Sequence, residues 1–156
     1  MKARFGLLLF GLVVIAAALA ALHGGRSEAA TGPAAIRIND RELRVTRVDI
    51  GAKGTSAGDL EVVTLNLHER GVTTRSIGHA ELVCTFVGTG NSRICRGTYE
   101  LPRGRIVVGG SIEFRQFYDL AVLGGTGLYD NARGTLTVTR TSRRPARHLV
   151  LFRLVG

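Results

Sequence analysis

The clearest fold signal in the chain lies in residues 82–101, which read LVCTFVGTGNSRICRGTYEL. Apolar and polar side chains alternate on both sides of a central turn, so each run has one apolar face. Those faces carry Leu82, Cys84, Phe86, Cys95, Tyr99 and Leu101. A period of two residues is typical of β-strands, and a glycine-containing loop between two such runs indicates a β-hairpin.

The same alternation continues over most of the chain and predicts eight strands. Their expected bounds are 42–50, 59–69, 76–87, 92–101, 105–114, 117–123, 133–141 and 147–155. No segment sustains a helical period, so we expect an all-β, antiparallel fold. Because no helices are available to cover the apolar faces, the strands have to form either a closed barrel or a two-sheet sandwich. Alternation alone does not distinguish these two.

The two cysteines flank the turn of this hairpin. If Gly88–Asn91 forms the loop, Cys84 lies directly opposite Cys95 in a non-hydrogen-bonded pair. The Cα atoms of such a pair are about 4.5 Å apart, which is within disulfide reach. We therefore predict a structural Cys84–Cys95 disulfide, which is typical of exported proteins.

The first residues differ in character from the rest of the chain. A basic start is followed by Phe5–Leu22, which contains no charged residue, and then by the small residues Ser27 and Ala29. This pattern predicts a signal peptide over 1–29 and a secreted, extracytoplasmic protein. A retained membrane anchor is the alternative, since the apolar stretch approaches the length of a bilayer span.

Size and composition limit the kind of protein that the remaining residues can form. The whole chain has 156 residues, with 21 Lys and Arg against 12 Asp and Glu and a formal net charge of +9. We expect a flexible leader over 30–40 and a single β-barrel domain over 41–156. A multidomain enzyme, a multi-span membrane protein and a disulfide-dense miniprotein are excluded.

Two stretches, CRGTYELPRG at 95–104 and AVLGGTGLYDNARG at 121–134, resemble the allene oxide cyclase and dirigent protein superfamily. Its members share a Gly-Gly-Thr/Ala-Gly element, an aromatic residue and Ala-Arg/Tyr-Gly near the end of the sixth strand. The resemblance implies an eight-stranded, calycin-like antiparallel barrel with an apolar lumen, and a homotrimer in many plant members. We expect no cofactor. It favours the barrel over the sandwich.

One functional position carries over from the resemblance. Arg133 matches the arginine of the dirigent Ala-Arg-Gly element and is a candidate catalytic residue, with a solvated turn arginine as the alternative. The glycines at 124, 125 and 127 are interpreted as turn residues, because no phosphate-binding motif surrounds them.

The predicted lumen supplies the other candidates. Four aromatic residues on or near apolar faces are predicted to bind a ligand; they are Phe86, Tyr99, Phe114 and Phe152. For Tyr99, a packed core position is the alternative. Glu61 shares its face with apolar residues, so it is either a lumen carboxyl group capable of acid–base chemistry or a group at the strand entrance that reaches water.

The positive charge is almost entirely arginine. Arg140, Arg143, Arg144 and Arg147 cluster in the last predicted hairpin and could make weak contact with an anionic envelope surface. No aromatic residues are interleaved with them, so nucleic-acid binding is not expected. The cysteines and histidines lack metal-ligand spacing, and no metal is expected.

Three functions remain as hypotheses. The first is a secreted barrel that binds a small hydrophobic molecule, either lipid-like or aromatic, in its lumen. The second is a cofactor-free isomerase, cyclase or dirigent-type coupling guide that confines a reactive intermediate. The third is an envelope scaffold that uses the arginine-rich loop end.

Overall fold

The computed structural model describes residues 34–72, 74–113 and 116–155. They form eight β-strands and one turn of 3₁₀-helix at Gly127–Tyr129. The strands are β1 (Ala34–Val48), β2 (Leu60–Glu69), β3 (Ser76–Phe86), β4 (Arg93–Leu101), β5 (Gly104–Ile112), β6 (Phe117–Gly125), β7 (Arg133–Arg143) and β8 (Ala146–Val155). In this part of the chain, no helix is long and apolar enough to span a bilayer.

The strands form a closed antiparallel barrel in sequence order. Closure depends on β1, which pairs with β8 over residues 34–41 and with β2 over residues 38–48. The predicted all-β barrel is therefore confirmed, and the two-sheet sandwich is wrong. A closed sheet leaves no unpaired edge strand, which removes the usual site of edge-to-edge aggregation.

The beginning of the barrel corrects one boundary. Residues 34–40, predicted to belong to a flexible leader, are the first part of β1, and Ala34 pairs with Leu154 of β8. Ile38 is buried and Ile36 packs against the core. Pairing of these residues with β8 closes the barrel. The stability gained by that pairing outweighs the low strand propensity of the neighbouring alanines. The predicted signal peptide 1–29 lies outside the described residues.

The two ends of the barrel differ. The connections after β1, β3, β5 and β7 lie at one end, which we call the mouth, and the other connections lie at the base. Towards the base, the interior is filled by apolar side chains, among them Leu67, Ile106, Leu136 and Phe152, none of which is exposed. The lower half of the barrel is therefore a packed core.

The hairpin of β3 and β4 has the predicted register. Cys84 lies directly opposite Cys95, and the two form a disulfide inside the barrel. Both residues are buried. The predicted disulfide is confirmed, and it crosslinks neighbouring strands beneath the mouth.

The glycine-rich segment after β6 is a turn at the base. Thr126 and Leu128 donate backbone hydrogen bonds to the carbonyl oxygens of Arg105 and Arg103, at 2.9 and 3.0 Å. Gly127 has a φ of 64°, a conformation that favours glycine. These hydrogen bonds join the β6–β7 connection to the β4–β5 turn. The segment is therefore a structural turn, as interpreted from the sequence.

Candidate functional site

A cavity of about 620 Å³ opens at the mouth, and all eight strands or their mouth ends contribute to its wall. Its apolar wall is formed by Val45, Val63, Leu65, Leu82, Cys84, Ile112 and Ala146. Its polar and charged groups are Glu42, Arg47, Glu61, Arg93, Glu113, Tyr118, Arg140, Arg143 and His148. The cavity ends where the packed core of the lower half begins. Its volume lies within the range of small-molecule sites.

Glu61 is the centre of an ion-pair group on this wall, in which Glu61 and Arg93 are buried and the side chain of Arg47 is 65% exposed. Glu61 is the second residue of β2 and is only 4% exposed, and it borders the open cavity. It therefore lies both at the strand entrance and on the cavity wall. The Nε atom of Arg47 donates to Oε2 of Glu61 at 2.7 Å, and Nη1 of Arg93 donates to Oε1. Both carboxylate oxygens are therefore engaged, and Glu61 holds two guanidinium groups at the cavity.

The aromatic ring of Phe86 contacts the guanidinium groups of the same two arginines. The guanidinium carbons of Arg93 and Arg47 lie 5.3 and 5.8 Å from the centroid of its ring. These distances are typical of cation–π contacts. Phe86 is buried and lies outside the wall of this cavity, on a separate cavity of about 210 Å³ that Arg47 also borders. Its predicted contact with a ligand stays a prediction.

A second buried polar pair is formed by β1 and β8. Nδ1 of His148 is 2.7 Å from Oδ1 of Asp40. The side chains are 11% and 1% exposed, respectively, and His148 borders the cavity. A carboxylate accepts a hydrogen bond from Nδ1–H, which selects the imidazole tautomer with hydrogen on Nδ1 and leaves Nε2 as the acceptor nitrogen.

Two tyrosines lie near this pair. Burial raises the pKa of Tyr118 well above its usual value, and the negative charge of Asp40 adds to that rise. The pKa of Tyr99 is raised by burial and then by Tyr118 and Asp40. Both phenols therefore stay protonated at neutral pH and are available as hydrogen-bond donors. The Tyr99 hydroxyl has no hydrogen-bond partner among the described residues.

The other predicted ligand-binding aromatics lie below the cavity or outside the described residues. The ring of Tyr99 packs edge-on against Phe152, with centroids 5.2 Å apart, and neither residue is exposed. Both are core residues of the lower half, which corrects their predicted position on the cavity wall. Phe114 lies outside the described residues.

Arg133 lies at the base, at the opposite end from the mouth. It is exposed, and its guanidinium donates to the carbonyl oxygen of Ala132 at 2.9 Å. It does not contribute to the cavity described above. This position corresponds to the solvated turn arginine given as the alternative to a catalytic role.

The arginine cluster of the last hairpin is divided between two surroundings. Arg140 and Arg143 border the cavity, whereas Arg144 is exposed in the β7–β8 turn. Arg147 lies on a separate, smaller cavity of about 280 Å³. Two of the four arginines of the predicted basic patch thus border the mouth cavity.

The β1–β2 connection at the rim is fixed by Asp59. The backbone N–H groups of Ile50 and Ser56 each donate to its carboxylate at 2.8 Å. These hydrogen bonds, that from Ile50 first, hold the pKa of Asp59 below its usual value. The loop next to Arg47 is therefore ordered by a carboxylate that stays ionised at neutral pH.

Several groups at the mouth were not identified from the sequence. They are Asp40, Arg47, Arg93, Tyr118 and His148. The alternation of strand faces could have identified two of them. Arg93 lies on the same face of β4 as Cys95 and Tyr99. His148 lies on the same face of β8 as Val150 and Phe152. A polar residue in phase with a buried row is a candidate for the lumen. Asp40 was assigned to the leader and so was not considered.

The donor set of the mouth is not that of a metal site. Within the described ranges, no three His, Cys, Asp or Glu side chains are grouped closely enough to hold a metal ion. The ion pairs described at the cavity instead join Glu61 to Arg47 and Arg93.

Comparison with known proteins gives a structural answer only. No protein-family model matches the chain, and no curated protein matches its sequence. Among solved structures, a pyocyanin demethylase is similar with a TM-score of 0.64 and 22% identity, covering 75% of this chain and 98% of that one. A pterocarpan synthase dirigent protein has a TM-score of 0.62 and 13% identity, with 79% and 88% coverage.

A third similar structure is the Diels-Alderase AbmU from Streptomyces koyangensis. It has a TM-score of 0.63 and 13% identity, and the match covers 83% of this chain and 72% of that one. The chain has the dirigent-like barrel fold. The fold expected from the resemblance to allene oxide cyclases and dirigent proteins is confirmed, and the dirigent-like barrel of this chain is built around an open mouth cavity.

Proposed function

We propose that the protein binds a small, mainly apolar or aromatic molecule in the mouth cavity. The observation that carries this proposal is a cavity of about 620 Å³ with an aliphatic wall and a few convergent polar groups. Burying an apolar guest is worth about 25 cal/mol per Å² of surface removed from water. The polar groups would fix the orientation of the guest.

The charges at the mouth favour a guest with an anionic or acceptor group. Four arginines and three glutamates border the cavity. Glu61 holds Arg47 and Arg93 in place, so these cations are positioned before a ligand arrives. A preordered guanidinium loses less conformational entropy on binding an anion than a flexible one does. The expected guest is therefore an apolar body with a carboxylate, phenolate or carbonyl oxygen.

Binding of anilinonaphthalene sulfonate tests this proposal, since this probe has an apolar aromatic body and one anionic group. We expect saturable binding, followed by fluorescence, and a loss of about tenfold in affinity in Val63→Phe, equivalent to about 1.4 kcal/mol. Val63 lies on the cavity wall, and a phenylalanine there takes up space that the probe needs.

Val62→Phe is the matched control. Val62 is the preceding residue of β2, so its side chain points to the outer face of the barrel. The control should bind the probe as the parent protein does. Equal affinity in the two variants, or no saturable binding to the parent, would overturn the proposal.

A second candidate function is confinement of a reactive intermediate, as in a cofactor-free cyclase or coupling guide. Two observations favour it: a buried carboxylate, Glu61, on the cavity wall, and similar structures described as a Diels-Alderase and a dirigent protein. Mass spectrometry of small molecules that co-purify with the protein separates the two functions. A binding protein returns the molecule unchanged after incubation, whereas a cyclase converts it.

Export is part of the proposed function. The Cys84–Cys95 disulfide supports it, because disulfides persist mainly in oxidising compartments. The sequence of residues 1–29 supports it as well. Expressed in a bacterium with its own secretion machinery, the protein should appear outside the cytoplasm with Ala30 as its N-terminal residue by mass spectrometry. Retention of 1–29 on the exported chain would instead indicate an anchor.

A further inference from the structure

The Asp40–His148 pair is buried, and His148 borders the cavity. We infer that His148 is a general base that removes a proton from a small carbon acid bound in the mouth cavity, with Asp40 as its positioning residue. This inference rests on the proposed binding function and adds a reaction to it. The substrate class is an apolar molecule with a C–H bond next to a carbonyl or other electron-withdrawing group.

The geometry of the imidazole carries the inference. Nδ1 of His148 is engaged with Oδ1 of Asp40 at 2.7 Å. Asp40 is almost completely buried, and its other oxygen, Oδ2, has no hydrogen-bond partner among the described residues. A carboxylate in this position selects the tautomer with hydrogen on Nδ1 and stabilises the imidazolium that forms when Nε2 accepts a proton. Nε2 is then the nitrogen available to a bound molecule.

The groups around His148 suit the charge that such a reaction develops. Arg140 lies directly opposite His148 on β7, and both border the cavity. Tyr118 is on the adjacent strand β6, and its phenol stays protonated because burial raises its pKa. When the C–H bond breaks, its electron pair moves onto the substrate oxygen, and a guanidinium and a phenol are donors that stabilise an enolate.

The balanced reaction is an isomerisation. In a substrate with a C=C bond next to the acidic carbon, Nε2 takes the proton from the carbon beside the carbonyl and the electron pair is delocalised as a dienolate. The imidazolium returns the proton to the far carbon of the double bond, which moves into conjugation with the carbonyl. One C–H bond breaks and another forms, and no oxidant, reductant or cofactor is needed. Six other charged groups border the cavity, on other strands or on other parts of the rim. They are Glu42, Glu61, Glu113, Arg47, Arg93 and Arg143.

Nitrobenzisoxazole is a probe for this base, because its ring opens when a base removes one proton from carbon. The electron pair of that C–H bond forms a carbon–nitrogen triple bond, the N–O bond breaks, and the oxygen leaves as a coloured phenolate. We expect turnover by the parent protein and a loss of about 100-fold in His148→Gln, the usual contribution of general-base catalysis. Anilinonaphthalene sulfonate should inhibit the reaction by occupying the same cavity.

His79→Gln is the control, since His79 is half exposed on the outer face of the barrel and pairs with Glu100. It should retain the full rate. Asp40→Asn should lower the rate and change the nitrogen chemical shifts of the His148 ring, because an amide donates to Nδ1 and moves the ring hydrogen to Nε2. A purely structural role for Asp40 would not change the tautomer.

The outcomes separate this inference from the proposed function. If His148→Gln binds anilinonaphthalene sulfonate and turns over the probe as fast as the parent, the inference is wrong and the binding function stands. If the parent binds no probe in the cavity, both are wrong. Should His148→Gln fold poorly, His148→Ala with added imidazole replaces it, and recovery of the rate by imidazole is expected. No recovery in folded His148→Ala counts against the base.

Discussion

Replacing Glu61 with glutamine should lower the free energy of unfolding by about 3 kcal/mol, at the lower end of the range for breaking a buried ion pair. The side chains of Glu61 and Arg93 are 6% and 9% exposed. Glutamine keeps the size of the side chain but removes the negative charge, so the guanidinium of Arg93 stays buried and loses its ion pair with Glu61. Urea denaturation at neutral pH, followed by circular dichroism, measures the difference.

Glu100→Gln is the matched control for this experiment. Glu100 also has two basic partners, the guanidinium of Arg105 at 2.8 Å and the imidazole of His79 at 3.4 Å, but its side chain is 37% exposed. Water screens these pairs, and exposed ion pairs contribute about 0–1 kcal/mol. We therefore expect a change in stability below about 1 kcal/mol. Equal losses in the two variants would show that burial of the Glu61 pair has no energetic consequence.

The Glu61 variant also has a consequence for binding. Without the carboxylate, Arg47 and Arg93 lose the partner that positions both, although Phe86 still contacts their guanidinium groups. The parts of the site are therefore coupled: one buried charge supports stability, and the same charge arranges the cations that would meet an anionic guest. This arrangement is common in binding sites, where supporting contacts fix the groups that touch the ligand.

The fold was predictable because alternation is a local property of the sequence. In β3 the alternating apolar residues end at Phe86, and in β4 they begin at Cys95. These residues identify the inner face of each strand without knowledge of any other strand. Register followed from the turn length, which is why the disulfide partners could be assigned. The leader boundary was missed because β1 begins with alanines, and its pairing with β8 depends on a contact between the two ends of the barrel sequence.

The site was predictable only in part, because alternation indicates which face a residue occupies but not its height along the barrel. Tyr99 and Phe152 face inward as expected, yet they lie in the packed lower half. The height depends on the tilt and stagger of the strands, which no single strand encodes. Asp40 and His148 are 108 residues apart in sequence and meet only when the barrel closes. No local pattern could have paired them.

Removing the disulfide, in a Cys84→Ala, Cys95→Ala double variant, should lower the free energy of unfolding by about 3 kcal/mol, as expected for a crosslink that closes a short loop. The cysteines are 11 positions apart in sequence, so the crosslink restricts the unfolded hairpin by a limited amount. Loss of the buried sulfur atoms from the interior adds a smaller packing cost.

The barrel should survive this loss at 25 °C, because the disulfide joins strands that already pair along β3 and β4. Thermal unfolding followed by circular dichroism should give a β-sheet spectrum unchanged from the parent protein and a lower melting temperature. Reduction of the parent protein by dithiothreitol is the second measurement, and it should lower the melting temperature by a similar amount, since the same crosslink is removed without the mutations. A double variant as stable as the oxidised parent would mean that strand pairing alone fixes this hairpin and that the disulfide contributes nothing to folding.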